Sequence, residues 1–457
     1  MNVAAPPRTP LDGWTARRLG LACPAPDCPV PVVDRDALAR WQSRQLAEVV
    51  AWARERSPFY RELYARLPSN EPRGLRDLRG LPFVTQDDVR RRGTDLVCVP
   101  LGDIARVVTL PTSGSTGQPK RLWFTEGDLE LTADHFRHGM RALVEPGDRV
   151  LVLMPGPAPG SVGALLRVAL ARDGVEAEAY GFVDDCGRVA RRILEFGADC
   201  LVGVPGQVLW LARSREGREI PVGRVKSVLF SGDYVAEPVR ASIERAWGCR
   251  VFEHYGSTET GLGGAVQCRA FAGLHIREAD LLFEVVDPDT HEPLPRGRWG
   301  ELVVTTLTRR GMPLIRYRTG DSGRLLRGRC ACGSVLRCLD RVRGRMADEV
   351  DLGGAERLTM ADLDGVVYAQ EWVRTFSAEV TDAAPAGLSW PTACGELVLT
   401  VTARGRPSRA RVEGLEADVE AIPAVAASHT GVRIEVTTGG ETAAPGKRRI
   451  RDTRSRG

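Results

Sequence analysis

The sequence predicts an α/β fold: a large N-terminal domain with parallel-sheet subdomains and a β-rich subdomain, plus a small mobile α+β C-terminal domain. Three observations predict it. From residue 148 to 254 short apolar strands alternate with helical periods. After residue 270 apolar strands succeed one another without helices, and from about residue 345 strand and helix patterns mix. At 457 residues the chain is long enough for a large core with an appendage.

Taken in order, Leu38, Trp41, Leu46, Val49, Val50 and Ala53 recur at helical spacing, which predicts an amphipathic helix over 36–56. Residues 107–110 read as a strand, 112–120 as a loop and 121–125 as a second apolar stretch. The alternating series follows: strands at 150–154, 175–180, 201–204, 228–230 and 251–254, with helices at 162–171, 187–196, 207–213 and 238–247 between them. Such alternation means a parallel sheet with right-handed crossovers, whose ligands gather beyond the carboxyl ends of the strands. Pro205-Gly206, Ser231-Gly232-Asp233 and the 255–259 segment follow strands directly, so they are candidate site loops. The stretches 281–286, 300–306 and 314–316 look antiparallel. In the tail, strands at 397–402 and 432–436 accompany a helix at 412–421, while 382–393 and 438–446 are rich in Ala, Pro and Gly and read as loops.

Composition excludes some classes. Net charge is +4 against 63 basic and 59 acidic residues, the arginines are dispersed, and aromatics at 6% form no stacking series. A zinc-bearing nucleic-acid binder is therefore disfavoured. The least charged stretch, 150–166, is broken by three prolines and several glycines and does not read as a membrane span. Residues 1–10 hold no apolar core of a signal peptide, so a cytoplasmic location is expected. In a reducing compartment, clusters among the eleven cysteines point to metal more than to disulfides.

Only three of the basic residues are lysines. Lys226 begins an ordinary apolar strand, but the other two sit in glycine-containing loops. Lys120 closes Thr112-Ser113-Gly114-Ser115-Thr116-Gly117-Gln118-Pro119-Lys120, and Lys447 follows Pro445-Gly446. A compact, flexible ammonium differs from a planar guanidinium fork, so a lysine kept in an arginine-rich chain is suspect. Gly114 and Gly117 allow successive backbone N–H groups to converge on an anion, and Ser113, Ser115 and Thr116 add donors. The spacing is not that of a Walker A loop. A plain turn is the bland alternative.

Further segments share the pattern: Glu253-His254-Tyr255-Gly256-Ser257-Thr258-Glu259, then Tyr317-Arg318-Thr319-Gly320-Asp321, Gly344-Arg345 and Gly446-Lys447. This ordered set resembles the adenylate-forming acyl-CoA ligases, within them the phenylacetate-CoA ligase-like branch. Near the N-terminus Ser57-Pro58-Phe59-Tyr60 and Leu81-Pro82-Phe83-Val84-Thr85 are similar to that branch too. The resemblance implies an adenylation (AMP-binding) domain over 1–344 and a C-terminal cap domain over 345–457. It implies an AMP-forming acid–thiol ligase using ATP, Mg²⁺ and coenzyme A on a small carboxylic acid, an aryl or arylacetic acid being favoured. The 112–120 loop would cradle the β- and γ-phosphates and Glu259 would hold Mg²⁺. Thr258 would bind the α-phosphate, with Gly256 and Ser257 in the same nucleotide-binding turn and Tyr255 beside the adenine. Asp321 would accept from the ribose hydroxyls with Arg345 assisting, and Ser231, Gly232 and Asp233 would complete the nucleotide site. Lys447 would act during adenylation, and Asp348 would be the hinge about which the C-terminal domain swings to bring Gly353-Gly354 to the thiolation step. For Asp321 a turn residue and for Arg345 a solvated charge are the bland alternatives. Around the hinge Met346-Ala347 and Leu358-Thr359-Met360 depart from the family pattern. An enzyme loading a carrier-protein thiol shares every feature except the acceptor, and oligomeric state is not encoded in any motif. Trp210 and Tyr234 could line an aryl pocket or belong to the core.

The cysteines suggest a second site. Cys330-Ala331-Cys332-Gly333 resembles a zinc knuckle, and Cys268 and His275 lie seven apart upstream. These four suit structural Zn²⁺, with Cys338 as a substitute ligand, and the branch is similar at both places. Buried free thiols are the alternative. Cys23, Cys28, Cys98, Cys186, Cys200, Cys249 and Cys394 stand alone and read as core.

Overall fold

The computed structural model describes residues 9–21, 33–65, 67, 72, 74–110, 119–156, 158–382, 395–428, 430–438 and 448–454. The chain divides into two compact units: residues 1–148, 156–177 and 252–342, and residues 149–155, 178–251 and 343–457.

In the first unit, helix Arg35–Arg56 starts on Asp34, whose carboxylate accepts from Ala37 N, and buries the stripe Leu38, Leu46, Val49, Val50 and Ala53. Ser57 caps the following helix Pro58–Leu63, which inserts Phe59 and Tyr60 into the core. Strand Ile104–Leu110 pairs antiparallel with Lys120–Thr125, Leu110 opposite Lys120. Thr125 and Asp128 then form a reciprocal capping box at the start of helix Glu126–Met140. The Asp128 carboxylate also accepts from Arg310 N at 2.9 Å and Gly311 N at 3.0 Å, tying that helix to a distant loop.

Strands Leu281–Val286, Gly300–Thr306 and Tyr317–Gly323 form the expected antiparallel run. The third strand begins after the stretch at 314–316 that the apolar pattern suggested. Arg316 has φ +49°, outside the extended region, and the Leu314 and Arg316 amides donate to the Thr306 and Thr305 hydroxyls at 2.9 and 3.0 Å instead of a ladder. The end of strand Arg250–Tyr255 pairs antiparallel with Ala265–Gln267, His254 opposite Val266. Tyr60, Phe124, Phe283, Leu302 and Tyr317 belong to one apolar core.

In the second unit, strands Arg149–Leu153, Cys200–Gly203 and Ser227–Phe230 are parallel neighbours in that order. Helices Cys186–Phe196, Pro205–Arg213 and Glu237–Trp247 follow them in sequence, as the alternation predicts. The last hundred residues add strand Val373–Thr381, paired antiparallel with Glu396–Ala403 and parallel with Ile450–Asp452, and helices Met360–Val367 and Arg409–Glu420. Val228, Trp247, Tyr368, Phe376 and Leu399 share one core, and Trp210 and Tyr234 pack partly buried against it. Cys98, Cys186, Cys200 and Cys249 are buried, in keeping with core packing. Cys23, Cys28 and Cys394 lie outside the described residues. No helix among the described residues is long and apolar enough to cross a membrane.

Candidate functional site

Thr112, Ser113, Gly114, Ser115, Thr116, Gly117 and Lys447 lie outside the described residues. Lys120, the first residue of its strand, is 4% exposed, and its ammonium donates to Glu259 Oε1. It also donates to the Tyr317 hydroxyl at 3.2 Å, and that hydroxyl donates to the same Glu259 oxygen at 3.2 Å. Cation, carboxylate and phenol thus form a closed triangle from three distant segments.

Glu259 sits on a turn that the sequence builds from its own hydroxyls. Ser257 N donates to Thr260 Oγ1 at 2.9 Å, Thr260 N donates to Ser257 Oγ at 3.3 Å, and the Leu262 amide returns to the Ser257 carbonyl at 2.8 Å. Gly256 is required here because a Cβ would run into the Leu262 carbonyl oxygen. The Arg309 guanidinium donates to the Thr258 carbonyl at 3.5 Å and stacks over Phe124 with 4.8 Å to the ring centre. Burial lowers its pKa to about 10, which leaves it cationic at neutral pH.

Beside this triangle Tyr255 donates to Asp321 Oδ2 at 2.7 Å, both residues being buried. Burial, reinforced by Asp321, raises the Tyr255 pKa well above its usual value, so the phenol stays a donor. Asp321 is therefore no exposed turn residue; its amide is held by Thr319 Oγ1 at 3.0 Å. Alternation along strand Tyr317–Gly323 buries Tyr317, Thr319 and Asp321 on one face. That period-two pattern places Tyr317, a member of the same motif, on the site face. Arg309 carried no comparable signal.

Ser231, Gly232 and Asp233 belong to the second unit, directly after strand Ser227–Phe230, with Gly232 at φ +90°. Arg345 and Asp348 lie in the same unit, Arg345 ending the two-residue strand Gly344–Arg345 and Asp348 ending the 3₁₀ turn Met346–Asp348.

Cys268, His275, Cys330 and Cys332 converge so that one donor atom of each lies within 4.8 Å of the others. Cys268 Sγ is 3.7 Å from Cys330 Sγ, and Cys332 Sγ is 3.4 Å from His275 Nε2. Tetrahedral zinc with Zn–S bonds of about 2.3 Å spaces thiolates about 3.8 Å apart, so this donor set fits that ion. Cys338 Sγ instead faces the other ring nitrogen, Nδ1, at 3.5 Å. It stands behind the imidazole, where a hydrogen bond fixes the tautomer that frees Nε2, rather than in the donor set. The His275 imidazole beside the Cys330 thiol is the main reason its pKa falls to about 6.

Residues 27–308 match the family described as AMP-binding enzyme. The chain is 32% identical over 336 residues to a phenylacetate-coenzyme A ligase of Thermus thermophilus, covering 70% of this chain and 73% of that protein. Identity to the Escherichia coli protein of the same name is 31% over 337 residues, covering 71% and 75%. Among solved structures, 2-hydroxyisobutyryl-CoA ligase in a postadenylation state with its acyl adenylate superposes at TM-score 0.78, with 20% identity and 91% and 89% of the two chains covered. An anthranilate CoA ligase bound to anthranoyl-AMP gives 0.56, at 16% identity and coverage of 74% and 65%. At those identities the structural likeness speaks for the fold. Ordered motifs, buried triangle and sequence relatives agree: the chain belongs to the AMP-binding enzyme family, in its phenylacetate-CoA ligase-like branch.

Proposed function

We propose that this protein joins an aryl or arylacetic acid to coenzyme A at the expense of ATP, through an acyl-adenylate. The observation that carries this is the buried Lys120–Glu259–Tyr317 triangle beside the Tyr255–Asp321 pair, on motifs shared with a family that includes phenylacetate-coenzyme A ligases. In the first step a carboxylate oxygen attacks the α-phosphorus of ATP, the bond to the β-phosphate breaks, and pyrophosphate leaves. Two anions must meet, so catalysis rests on fixed positive charge and donors. Lys120 is available to a phosphate once it leaves Glu259. The Thr112–Gly117 segment and Thr258 supply donors, and Asp321 accepts from the ribose diol. Lys447 neutralises charge at the α-phosphate, with Arg345 and the 231–233 loop completing the nucleotide site. In the second step the thiol of coenzyme A gives up its proton to solvent, its sulfur forms a bond to the acyl carbon, and the bond from that carbon to the phosphate oxygen breaks as AMP departs.

Glu259 fits a magnesium ligand, because that ion is commonly held by one or two protein carboxylates and the substrate phosphates. Bound magnesium supplies charge that offsets the growing negative charge on the leaving pyrophosphate. Glu259 would hold the metal once released from the Lys120 ammonium, and Lys120 would then be available to a phosphate. The domain boundary belongs to the same proposal, with 1–344 as the adenylation domain, 345–457 as the cap and Asp348 as hinge. Structural zinc at Cys268, His275, Cys330 and Cys332 is part of it as well, and a cytoplasmic, reducing setting suits such thiolates.

A panel of carboxylic acids tests the substrate class, with pyrophosphate release and thioester formation both followed. Arylacetic acids should lead the panel with coenzyme A as acceptor. Turnover confined to short aliphatic acids would overturn the aryl assignment. Acyl transfer only to a carrier-protein thiol would overturn the acceptor.

A further inference from the structure

Arg309 packs against the turn that carries Glu259, and the residues around it belong to the first compact unit. It is 6% exposed, yet among the described residues no carboxylate is bonded to its guanidinium. Nη2 donates to the Thr258 carbonyl at 3.5 Å, and the group lies over Phe124, 4.8 Å from the ring centre. Burial lowers its pKa to about 10; Asp128 and then Glu259 pull the other way, while Arg277 acts with burial. A buried cation without a bonded counter-ion is costly, so other groups must hold it in place.

Those groups are on both sides of it. The backbone just after Arg309 is held by Asp128, which accepts from Arg310 N at 2.9 Å and Gly311 N at 3.0 Å. Phe124 lies on the strand that begins with Lys120, and an even spacing puts the two side chains on one face of that strand. On the other side the turn comes close. A Cβ at Gly261, whose φ is +70°, would stand 3.1 Å from Arg309 Nη2, and the Gly261 carbonyl accepts from Thr132 Oγ1 at 2.8 Å. Arg309 thus joins the strand of Lys120 to the turn of Glu259 without bonding to the ammonium or the carboxylate.

We infer that Arg309 is a positioning residue for the magnesium carboxylate: stacked on Phe124, it holds residues 258–261 so that Glu259 stays aimed at the metal when Lys120 leaves. In the closed triangle the ammonium itself restrains the carboxylate. Once that bond opens, the Tyr317 hydroxyl and the turn must do so, and Arg309 is what the turn rests on. Its charge also stays near the carboxylate, because the backbone bonds to Asp128 and the aromatic ring keep it there. A group behind a metal ligand acts by fixing that ligand's orientation rather than by touching the ion. This inference rests on the proposed role of Glu259 as magnesium ligand, and its test separates the two.

Binding of α,β-methylene-ATP, which cannot be cleaved at the reacting bond, is measured by calorimetry with Mg²⁺ and with EDTA. Wild type, Glu259→Gln, Arg309→Met and Arg309→Lys are compared. In Arg309→Met the affinity gained from magnesium should fall about tenfold, the order of loss when a group that orients a metal ligand is removed. Affinity without metal should change little. Arg309→Lys, which keeps charge but not the planar stack, should fall between. Thioester formation from synthetic acyl-adenylate and coenzyme A, which has no pyrophosphate to neutralise, should stay near wild type. An equal fall with and without magnesium, or a matching fall in thioester formation, would make Arg309 a structural residue. Wild-type magnesium dependence in Arg309→Met would remove its role altogether; each of these results overturns the inference. If Arg309→Met does not fold, Arg309→Lys decides by the same comparison, and failure of both to fold also makes the residue structural. Full magnesium dependence in Glu259→Gln would overturn the metal role of Glu259 and this inference with it. Loss there with none in either Arg309 variant would overturn the positioning role alone.

Discussion

Replacing Lys120 by methionine should destabilise the ligand-free protein before any question of catalysis arises. The Lys120 and Glu259 side chains are 6% and 5% exposed, and the Glu259 oxygen that receives the ammonium also accepts from Tyr317. With the ammonium gone, the phenol remains and the Arg309 guanidinium still acts on the carboxylate, but the cation bonded directly to it is lost. Breaking a buried pair from one side costs about 3–5 kcal/mol, because the surviving ion keeps its desolvation penalty. At roughly 2 °C per kcal/mol for a large domain, Tm should fall by at least about 6 °C. Glu259→Gln in the Lys120→Met background removes the stranded charge and should restore most of that loss, since buried pairs exchange for neutral groups of similar volume at little net cost. The assay is thermal unfolding of wild type, both single variants and the double variant, without ATP. Lys120→Met melting at the wild-type temperature would refute the reasoning, as would a double variant less stable than the sum of the singles.

Further outcomes follow from other parts of the structure. Tyr255→Phe should raise the KM for ATP several-fold with little effect on the KM for coenzyme A, because Asp321 loses a buried donor worth about 1.5–3 kcal/mol; unchanged nucleotide affinity would count against the ribose assignment. Purified protein should carry about one zinc per chain, lost together with thermal stability in Cys330→Ser or Cys332→Ser but retained in Cys338→Ser. Elemental analysis finding no zinc in wild type, or loss of it in Cys338→Ser, would contradict the donor set. Acid should destabilise the fold through His135, buried against Trp14, whose ring is held well below the usual imidazole range by burial first and then by Arg277, His254 and His138. The folded pKa lies below the unfolded value of about 6.5, so this contribution is intact above that pH and falls by up to about 1.4 kcal/mol for each unit below it. His135→Gln should flatten the stability profile between pH 7.5 and 5, and an unchanged slope would remove His135 as the cause.

Much of the fold was legible because its signals are local. Capping residues such as Asp34, Thr125 and Ser57 stand beside the helices they start, and the strand–helix alternation after residue 148 needs no tertiary knowledge. What was not legible depends on contacts between distant residues. The strand at Tyr317–Gly323 was placed too early because Leu314 and Ile315 are as apolar as a strand would be; their burial comes from a loop whose amides bind threonine hydroxyls on a neighbouring strand. Glu259 is recognised from its motif, yet Lys120 and Tyr317, which bond to it, lie 139 and 58 residues away, and only the structure brings them together. Arg309 and Arg448 are two among many arginines in the sequence. Only the structure shows them packed against Phe124 and against Tyr368 and Phe376.

The most direct test of the account omits coenzyme A. Protein, MgATP, phenylacetate or a near relative, and labelled pyrophosphate are incubated together, and label is followed into ATP. Formation of an acyl-adenylate predicts exchange that requires the acid, proceeds without any thiol acceptor, and is lost in Lys447→Ala. Exchange that depends on coenzyme A, or turnover of ATP to ADP and phosphate with the acid present, would contradict the adenylation mechanism at its first step.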